Sequence, residues 1–402
     1  MQEGLKLFSI NLGLYGSTGK IMYAISNLVK ENGGQAIMCY PFSYANLKGE
    51  ESDVILGNDI SRKINTLFER TTGFLGCFGF SNTKKIIKAI EQFKPDIIHL
   101  HNVHGMPINL EKLFNFIKSL NVKVVWTLHD CWSFTGQCPY FDMANCDKWK
   151  TGCYKCKSIK NYPKTYVDRT KSMYKRKKSW FNGIKNLTLV TPSVWLKDLV
   201  KQSFLKDYPV KVINNGIDLN VFKPMDSNFR KENNLEDKKV VLGVAFDWGA
   251  RKGLDVFIKL SKKLKDNYKI VLVGVDKQTA ENLPENILTI ERTNSQEELA
   301  KIYSMADVLV NPTREENYPT VNMEAIASGT PVITFKTGGS PEIIDKKTGV
   351  SIEKEDLDAL LEEIERICET KPFCKTDLEN RAKLFDKNQR FQEYLDLFNQ
   401  IR

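Results

Sequence analysis

Residues 311–331 read NPTREENYPTVNMEAIASGTP. An apolar strand, Val308 to Val310, runs into this stretch, and a helical pattern from Val321 to Ser328 runs out of it. Pro331 to Thr334 reads as one more strand. Glu316 falls in the loop after the first strand, and Glu324 follows after seven intervening residues, about one turn into the helix. The amides of Thr320 and Val321 open that helix, where free N–H groups and the helix dipole favour an anion. Carboxylates on either side of such a start suit a ligand with hydroxyls at both ends and phosphate in the middle. A nucleotide-sugar has that shape.

The strand-then-helix rhythm extends in both directions. Behind it lie expected strands at Val240–Ala245, Ile270–Gly274 and Ile287–Ile290, with helices at Leu254–Leu264 and Gln296–Met305; from Leu357 onward the pattern is helical. The first half repeats it. Strands are expected at Leu5–Asn11, Gln35–Tyr40, Asp96–His101, Val122–Leu128 and Leu187–Thr191. Helices are expected at Lys20–Asn32 and Ile108–Leu120, with a third capped by Ser193 and running to about Gln202. This alternation makes parallel sheets with right-handed crossovers. The expected fold is α/β: two doubly wound, Rossmann-like domains, 1–206 and 207–385, facing a central cleft. Ligands of such sheets bind beyond the carboxyl ends of the strands.

Composition agrees with that size. The chain has 402 residues, 42% of them hydrophobic, enough for two or three domains, and collagen-like, coiled-coil and low-complexity classes are excluded. Its opening, MQEGLKLFSINLGLYGSTG, carries an early acid and lacks a basic-then-apolar signal pattern. No run approaches the ~18 apolar residues of a membrane-spanning helix. A cytoplasmic protein is therefore expected, with its nine cysteines in a reducing environment.

Three other strand-end loops carry polar chemistry. LGLYGSTG, residues 12–19, fits neither the dinucleotide G-x-G-x-x-G spacing nor a P-loop. Around Gly16 and Ser17 it reads either as a phosphate-approaching turn or as a simple chain reversal. TLHD, residues 127–130, places His129 at a strand end, near His99, His101 and His104 of HLHNVH. His129 is either a donor to a sugar hydroxyl or a satisfied structural residue. WGARKG, residues 248–253, sets Arg251 and Lys252 before a glycine that opens a helix. That is a diphosphate-binding pair or a solvated basic pair.

Taken together, NGID (215–218), RKG (251–253), Glu316 through Glu324, SGTPV (328–332) and GGSPE (338–342) resemble the retaining glycosyltransferases of family four, which have the two-domain GT-B fold. The match spans nearly the whole chain. GSTG (16–19), HNVHG (101–105) and TLHDCWSFTG (127–136) further resemble the branch that builds capsular, exo- or colanic-type polysaccharides. The resemblance implies that Glu316 contacts the donor-sugar hydroxyls and Glu324 the ribose, while Lys252 neutralises the diphosphate and His129 touches the sugar. The loop at Gly16 and Ser17 would lie against the diphosphate or the acceptor. Arg251, Asn317, Tyr318, Thr320 and Val321 complete the implied donor site, with His129, Lys252 and Glu316 as its catalytic members. The family's arginine six residues before the lysine is here Phe246, which makes Arg251 the candidate second cation. The last helix, 386–402, is expected to pack back on the first domain. The implied reaction moves a sugar from a UDP- or GDP-sugar to a lipid-linked or saccharide acceptor in surface polysaccharide biosynthesis. No cofactor is expected for catalysis, since Lys252 and a helix N-terminus can carry the diphosphate charge.

Two features stand outside that scheme. Cys138, Cys146, Cys153 and Cys156, in an insertion spanning 131–156, offer the ligands of a structural zinc; free thiols and disulfides stay open beside it. Residues 157–178 hold nine Lys and Arg against one acid, Asp168, close to the whole net charge of +10. That run, with a helix expected at 164–181 and the apolar loop 71–80, points to an anionic membrane surface and a peripheral location; a solvated helix face stays open beside it. Two rival functions stay open beside it: a nucleotide-sugar epimerase or phosphorylase on the same scaffold, and a nucleic-acid-binding protein built on the cysteines and basic run. The favoured reading includes no nucleic acid.

Overall fold

In the computed structural model, which describes residues 4–41, 47 and 49–402, the chain separates into two compact units. One comprises the residues up to Ile213 together with Phe391–Arg402, and the other is Asn214–Arg390.

The first unit is built on seven parallel strands: β1 (Lys6–Ile10), β2 (Gln35–Pro41), β3 (Val54–Leu56), β4 (Ile97–Leu100), β5 (Lys123–Thr127), β6 (Leu187–Thr191) and β7 (Val210–Val212). Their order is β3-β2-β1-β4-β5-β6-β7. Strand order reverses between β1 and β4, so the loops after these two strands diverge and leave a crevice. Strands in such sheets are covered on both faces, which is why KLFSI and IIHL are almost wholly buried. Successive residues serve opposite faces. Phe8, Ile10, Ile98, Leu100 and Trp126 pack on one side with Phe114 and Phe181. Leu7, Ile97, Val125 and Val190 pack on the other. That second face is closed by the returning helix Lys387–Ile401 through Phe391, Tyr394, Leu395, Leu397 and Phe398.

The second unit repeats the plan with six strands: β8 (Lys239–Val244), β9 (Tyr268–Val273), β10 (Ile287–Ile290), β11 (Val308–Asn311), β12 (Val332–Phe335) and β13 (Gly349–Ile352). The order is β10-β9-β8-β11-β12-β13, again all parallel, with its reversal between β8 and β11.

Several boundaries differ from expectation. The first unit runs to Ile213 rather than 206, because β7 pairs with β6. Its three residues, VKV, are too short and too exposed to make an apolar run. The return begins at Phe391 rather than 386, since the first turn of that helix stays with the second unit, where Lys387 Nζ lies 2.5 Å from Asp218 Oδ2. The first helix starts at Gly16, four residues before Lys20, so the glycine-rich stretch is largely its first turn. The basic run forms a helix only over Thr170–Phe181, and that helix buries Met173, Tyr174, Lys177, Trp180 and Phe181. The helices Asp59–Thr72 and Phe80–Phe93 went unread. Among the described residues no helix is long and apolar enough to cross a membrane.

Phe398 is fully buried in the first unit's second face. Phe398→Ala is expected to destabilise that unit by about 3–5 kcal/mol, as core phenylalanine truncations do, read as a lower midpoint in urea denaturation.

Candidate active site

The second unit's site is assembled at its strand-order reversal. After β8 the chain makes one tight helical turn, Ala250–Lys252, and leaves it through Gly253 at φ +76°. A Cβ there would lie 2.6 Å from the Pro312 carbonyl oxygen, so glycine is required by conformation and by space. The close approach joins this turn to the loop after β11. The Arg314 amide donates to the Arg251 carbonyl at 2.8 Å, and Arg251 Nη1 donates to the Glu315 carbonyl at 3.0 Å. Lys252 Nζ then meets Glu316 Oε2 at 2.6 Å, with Arg251 Nη1 3.8 Å from the same oxygen.

Burial pushes the Glu316 carboxyl up, but the Lys252 charge and hydrogen bond, the Arg251 charge and the Asn317 amide outweigh it. Its pKa is held below the ordinary glutamate value, so Glu316 is a carboxylate. A third loop supports it from behind. Gly338 sits at φ +55°, where a Cβ would come 1.8 Å from the Glu316 carbonyl oxygen, and the Gly339 amide donates to the Asn317 carbonyl at 2.8 Å.

The helix Thr320–Ala327 starts directly after Pro319, with no side-chain cap. One turn in, Glu324 Oε2 accepts from the Tyr303 hydroxyl at 2.9 Å. Asn317 and Tyr318 are only 3% and 7% exposed. Their side chains belong to the interior, leaving the backbone as what they can offer a ligand. Arg251, Lys252 and Glu316 are thus brought together.

Two cations were missed by sequence reading. Arg314 lies 2.7 Å from Asp255 Oδ1 and 2.5 Å from Glu355 Oε1, tying the loop after β11 to the helix after β8. The Asp255 carboxyl is held at about 2 by that hydrogen-bonded guanidinium. Arg292, after β10, rests its guanidinium 5.3 Å from the ring of Phe246, which is 83% exposed. No local spacing announces either contact.

In the first unit, the Asn11 side chain donates to the Gly13 carbonyl at 2.9 Å and accepts from the Asn102 amide at 3.1 Å, linking the loops after β1 and β4. Gly16, at φ +65°, makes the corner into the first helix, and Ser17 is exposed there. All four histidines gather nearby. His101 Nδ1 and His129 Nε2 are 3.1 Å apart with the rings stacked, His99 Nε2 meets Thr127 Oγ1 at 2.9 Å, and His104 Nε2 lies 3.5 Å from Asp130. Burial, then the neighbouring His104, drives His129 down to about 3; burial likewise lowers His99 to about 3. His129 is therefore a neutral imidazole at pH 7, able to make hydrogen bonds but not to supply charge.

Residues 28–221 match the family Glycosyltransferase Family 4, and residues 225–388 match Glycosyl transferases group 1. The chain belongs to the glycosyltransferases. Among its relatives is a putative colanic acid biosynthesis glycosyl transferase, WcaC, of Escherichia coli K12, 26% identical over 69% of each chain. Similar solved structures include sucrose-phosphate synthase from Thermosynechococcus elongatus, with a TM-score of 0.72 at 18% identity over 99% of both chains. HepE of Anabaena, solved with UDP, has a TM-score of 0.70 at 14% identity over 98% of this chain and 100% of its own. The fold is that of the GT-B glycosyltransferases, as the resemblance implied. Family membership displaces the epimerase, phosphorylase and nucleic-acid readings.

Cys138, Cys146, Cys153 and Cys156 of this glycosyltransferase are not joined in disulfides. Cys138 and Cys156 share a hydrogen bond that holds the Cys156 thiol at about 7 and pushes Cys138 up, and the Gly136 amide donates to Cys153 Sγ at 3.1 Å. Among the described residues no group of three or more His, Cys, Asp or Glu side chains is arranged to hold a metal ion. Cys138, Cys146, Cys153 and Cys156 as they stand do not form the expected ligand set. Lys177, counted in the basic run, is instead buried against Trp132, bonded to its carbonyl and 3.5 Å from its ring centroid. Burial lowers it to about 7.

The histidine cluster makes a pH prediction. A histidine whose folded pKa is depressed contributes stability that is complete above its unfolded value of about 6.5 and is lost as pH falls toward 3. Glu69, raised by burial to about 7, acts oppositely over part of that range, so bulk stability mixes the two. Ring NMR separates them: the rings of His99, His101 and His129 should not titrate near 6.5, and any of these three doing so would refute the assignment.

Proposed function

We propose that the chain moves a sugar from a nucleotide-sugar to a lipid-linked glycan acceptor in surface polysaccharide assembly, retaining the anomeric configuration. The observation that carries this reading is the Lys252–Glu316 pair, 2.6 Å apart beside a helix N-terminus. It sets a cation for phosphate next to an acceptor for sugar hydroxyls, and a diphosphate-linked sugar needs both within one bond's reach.

In the proposed scheme the diphosphate is held by Lys252 and by the amides of Thr320 and Val321. Glu324, oriented by Tyr303, takes the ribose hydroxyls. Glu316 grips the sugar and is not the nucleophile, because its carboxylate is tied to Lys252 and the Asn317 amide. Transfer is on one face. The leaving phosphate oxygen helps deprotonate the incoming hydroxyl, and His129 hydrogen-bonds the sugar and orients it. Arg251 is occupied with the Glu315 carbonyl and acts by holding the loop, with a weaker part toward the diphosphate. Gly16 and Ser17 line the diphosphate or acceptor end. The scheme asks for no cofactor; catalysis rests on positioning and electrostatics. Support for UDP as the donor's nucleotide comes from HepE, solved with UDP, and for polysaccharide assembly from the putative colanic acid relative. The favoured location is the cytoplasmic face of a membrane, held peripherally.

Lys252→Ala is expected to lower turnover by about 10²- to 10³-fold, as loss of one preorganised charge-stabilising donor does. Stabilisation by UDP- or GDP-sugars in a thermal-shift panel identifies the base. NMR of the product anomer and mass spectrometry of quenched turnover test the chemistry; an inverted product, or a sugar covalently held on Glu316 or Glu324, overturns the same-face scheme.

Structural zinc on Cys138, Cys146, Cys153 and Cys156 would require those thiolates to converge. Elemental analysis of freshly purified, reduced protein decides it. About one zinc per chain supports the ligand set, and none removes it.

A further inference from the structure

The helix Asp59–Thr72 is built inside out. The residues it buries are Asn65 and Glu69, at 7% and 5% exposure. Ile60, Ile64, Leu67 and Phe68, at positions i, i+4, i+7 and i+8, form one stripe and are 68%, 50%, 59% and 51% exposed. Nothing about the helix is loosely placed. Asn58 and Ser61 close a reciprocal capping box, Gly73 ends the helix in the left-handed region, and Glu69 accepts from the Gly76 amide at 2.8 Å. Those polar bonds lock the inner face, so the apolar face is held outward.

The patch continues beyond the helix. The Phe68 and Phe78 rings meet at a tilt with centroids 5.7 Å apart, Phe80 is 56% exposed, and the Tyr166 amide donates to the Arg70 carbonyl, which brings a 62%-exposed tyrosine alongside. Its rim is basic. Lys63, Arg70, Lys84 and Lys85 are exposed, and Lys85 reaches the Ile55 carbonyl beside the helix start. Soluble proteins rarely leave such a contiguous apolar face uncovered.

We infer that this helix seats the first unit on an anionic lipid bilayer, with Ile60, Ile64, Leu67 and Phe68 entering the acyl boundary and the basic rim meeting headgroup phosphates. An apolar stripe alone would fit a protein partner equally; the ring of lysine and arginine selects the anionic surface. The inference rests on the membrane location proposed above and assigns its contact. It centres that contact on the helix Asp59–Thr72 rather than on the helix Thr170–Phe181, which turns Lys177, Trp180 and Phe181 inward.

The test is co-sedimentation of the full chain with vesicles of phosphatidylcholine alone and of phosphatidylcholine mixed with phosphatidylglycerol. Wild type is expected to bind the mixed vesicles, and less well as salt rises. Leu67→Gln with Phe68→Gln is expected to lower the partition coefficient at least tenfold, with circular dichroism and turnover on a water-soluble acceptor unchanged, because both side chains are exposed. Lys63→Gln with Arg70→Gln should weaken binding several-fold and flatten its salt dependence. Binding that survives the Leu67/Phe68 pair overturns the assignment to this helix. Failure of wild type to bind either vesicle overturns the membrane location itself, while turnover on the soluble acceptor reports separately on sugar transfer. Sedimentation velocity showing a dimer that the same pair dissolves would give the face to a second copy of the chain, and would also overturn the inference.

Discussion

A buried carboxylate must be paired or it neutralises, and the second unit is arranged around meeting that demand at Glu316. The residue lies in a loop with little solvent, and its ionised form is held first by Lys252, 2.6 Å away, and then by Arg251 and the Asn317 amide. That distance depends on β8 and β11 being neighbours, which the strand order β10-β9-β8-β11-β12-β13 provides. It depends next on two glycines. Gly253 lets the β8 loop pass against Pro312, and Gly338 lets a third loop press on the Glu316 backbone. Arg314 then anchors the arrangement by bridging Asp255 and Glu355. Removing Lys252 would therefore do more than delete a phosphate ligand. It would leave the Glu316 carboxylate with only Arg251 at 3.8 Å and the Asn317 amide to offset its charge, a defect that is expensive in its own right.

Much of this was legible because the chemistry and the local rhythm coincide. NPTREENYPTVNMEA carries strand end, loop carboxylate and helix start within one continuous stretch, so Glu316, Thr320, Val321 and Glu324 could be placed by spacing alone. Lys252 was readable because it sits before a glycine that opens a helix. Contacts made across loops were not readable. Arg314 finds Glu355, and Arg292 finds Phe246, only after the sheet has formed. Likewise Asn317 and Tyr318, adjacent to Glu316 in sequence, turn inward. Neighbours along a loop alternate between ligand and core for reasons set by packing.

The helix Asp59–Thr72 shows the same limit from the other side. Periodicity reading assumes that the apolar stripe faces the core. Here DISRKINTLFERTT has a good stripe, but the stripe faces water and Glu69 faces the core. The charge run at 157–178 holds one exception of the opposite sense. Eight of its nine basic residues are exposed, as a solvated or lipid-facing run would be, yet Lys177 is buried on Trp132. A long lysine stem packs as an apolar chain when its ammonium has a carbonyl and a ring to meet. Composition alone cannot separate these outcomes, because both helices are amphipathic and only the fold says which face is inside.

The histidines bring out a division of labour in the proposed chemistry. His129, His101 and His99 are buried beside one another, and each proton added to one would repel a proton on the next. Burial therefore keeps the group neutral, and the 3.1 Å bond between His101 Nδ1 and His129 Nε2 has one neutral ring donating to another. Which nitrogen of His129 carries its proton is then set by His101. If His101 donates, His129 accepts through Nε2 and must hold its own proton on Nδ1. That tautomer leaves the buried His101 Nε2 as an unpartnered acceptor, a smaller penalty than a buried N–H donor with nothing to bond. In the proposed scheme His129, kept neutral by burial, cannot offset charge that develops on a departing diphosphate. In this scheme that charge falls to Lys252 and the Thr320–Val321 amides, which places the electrostatic burden of the reaction on the second unit.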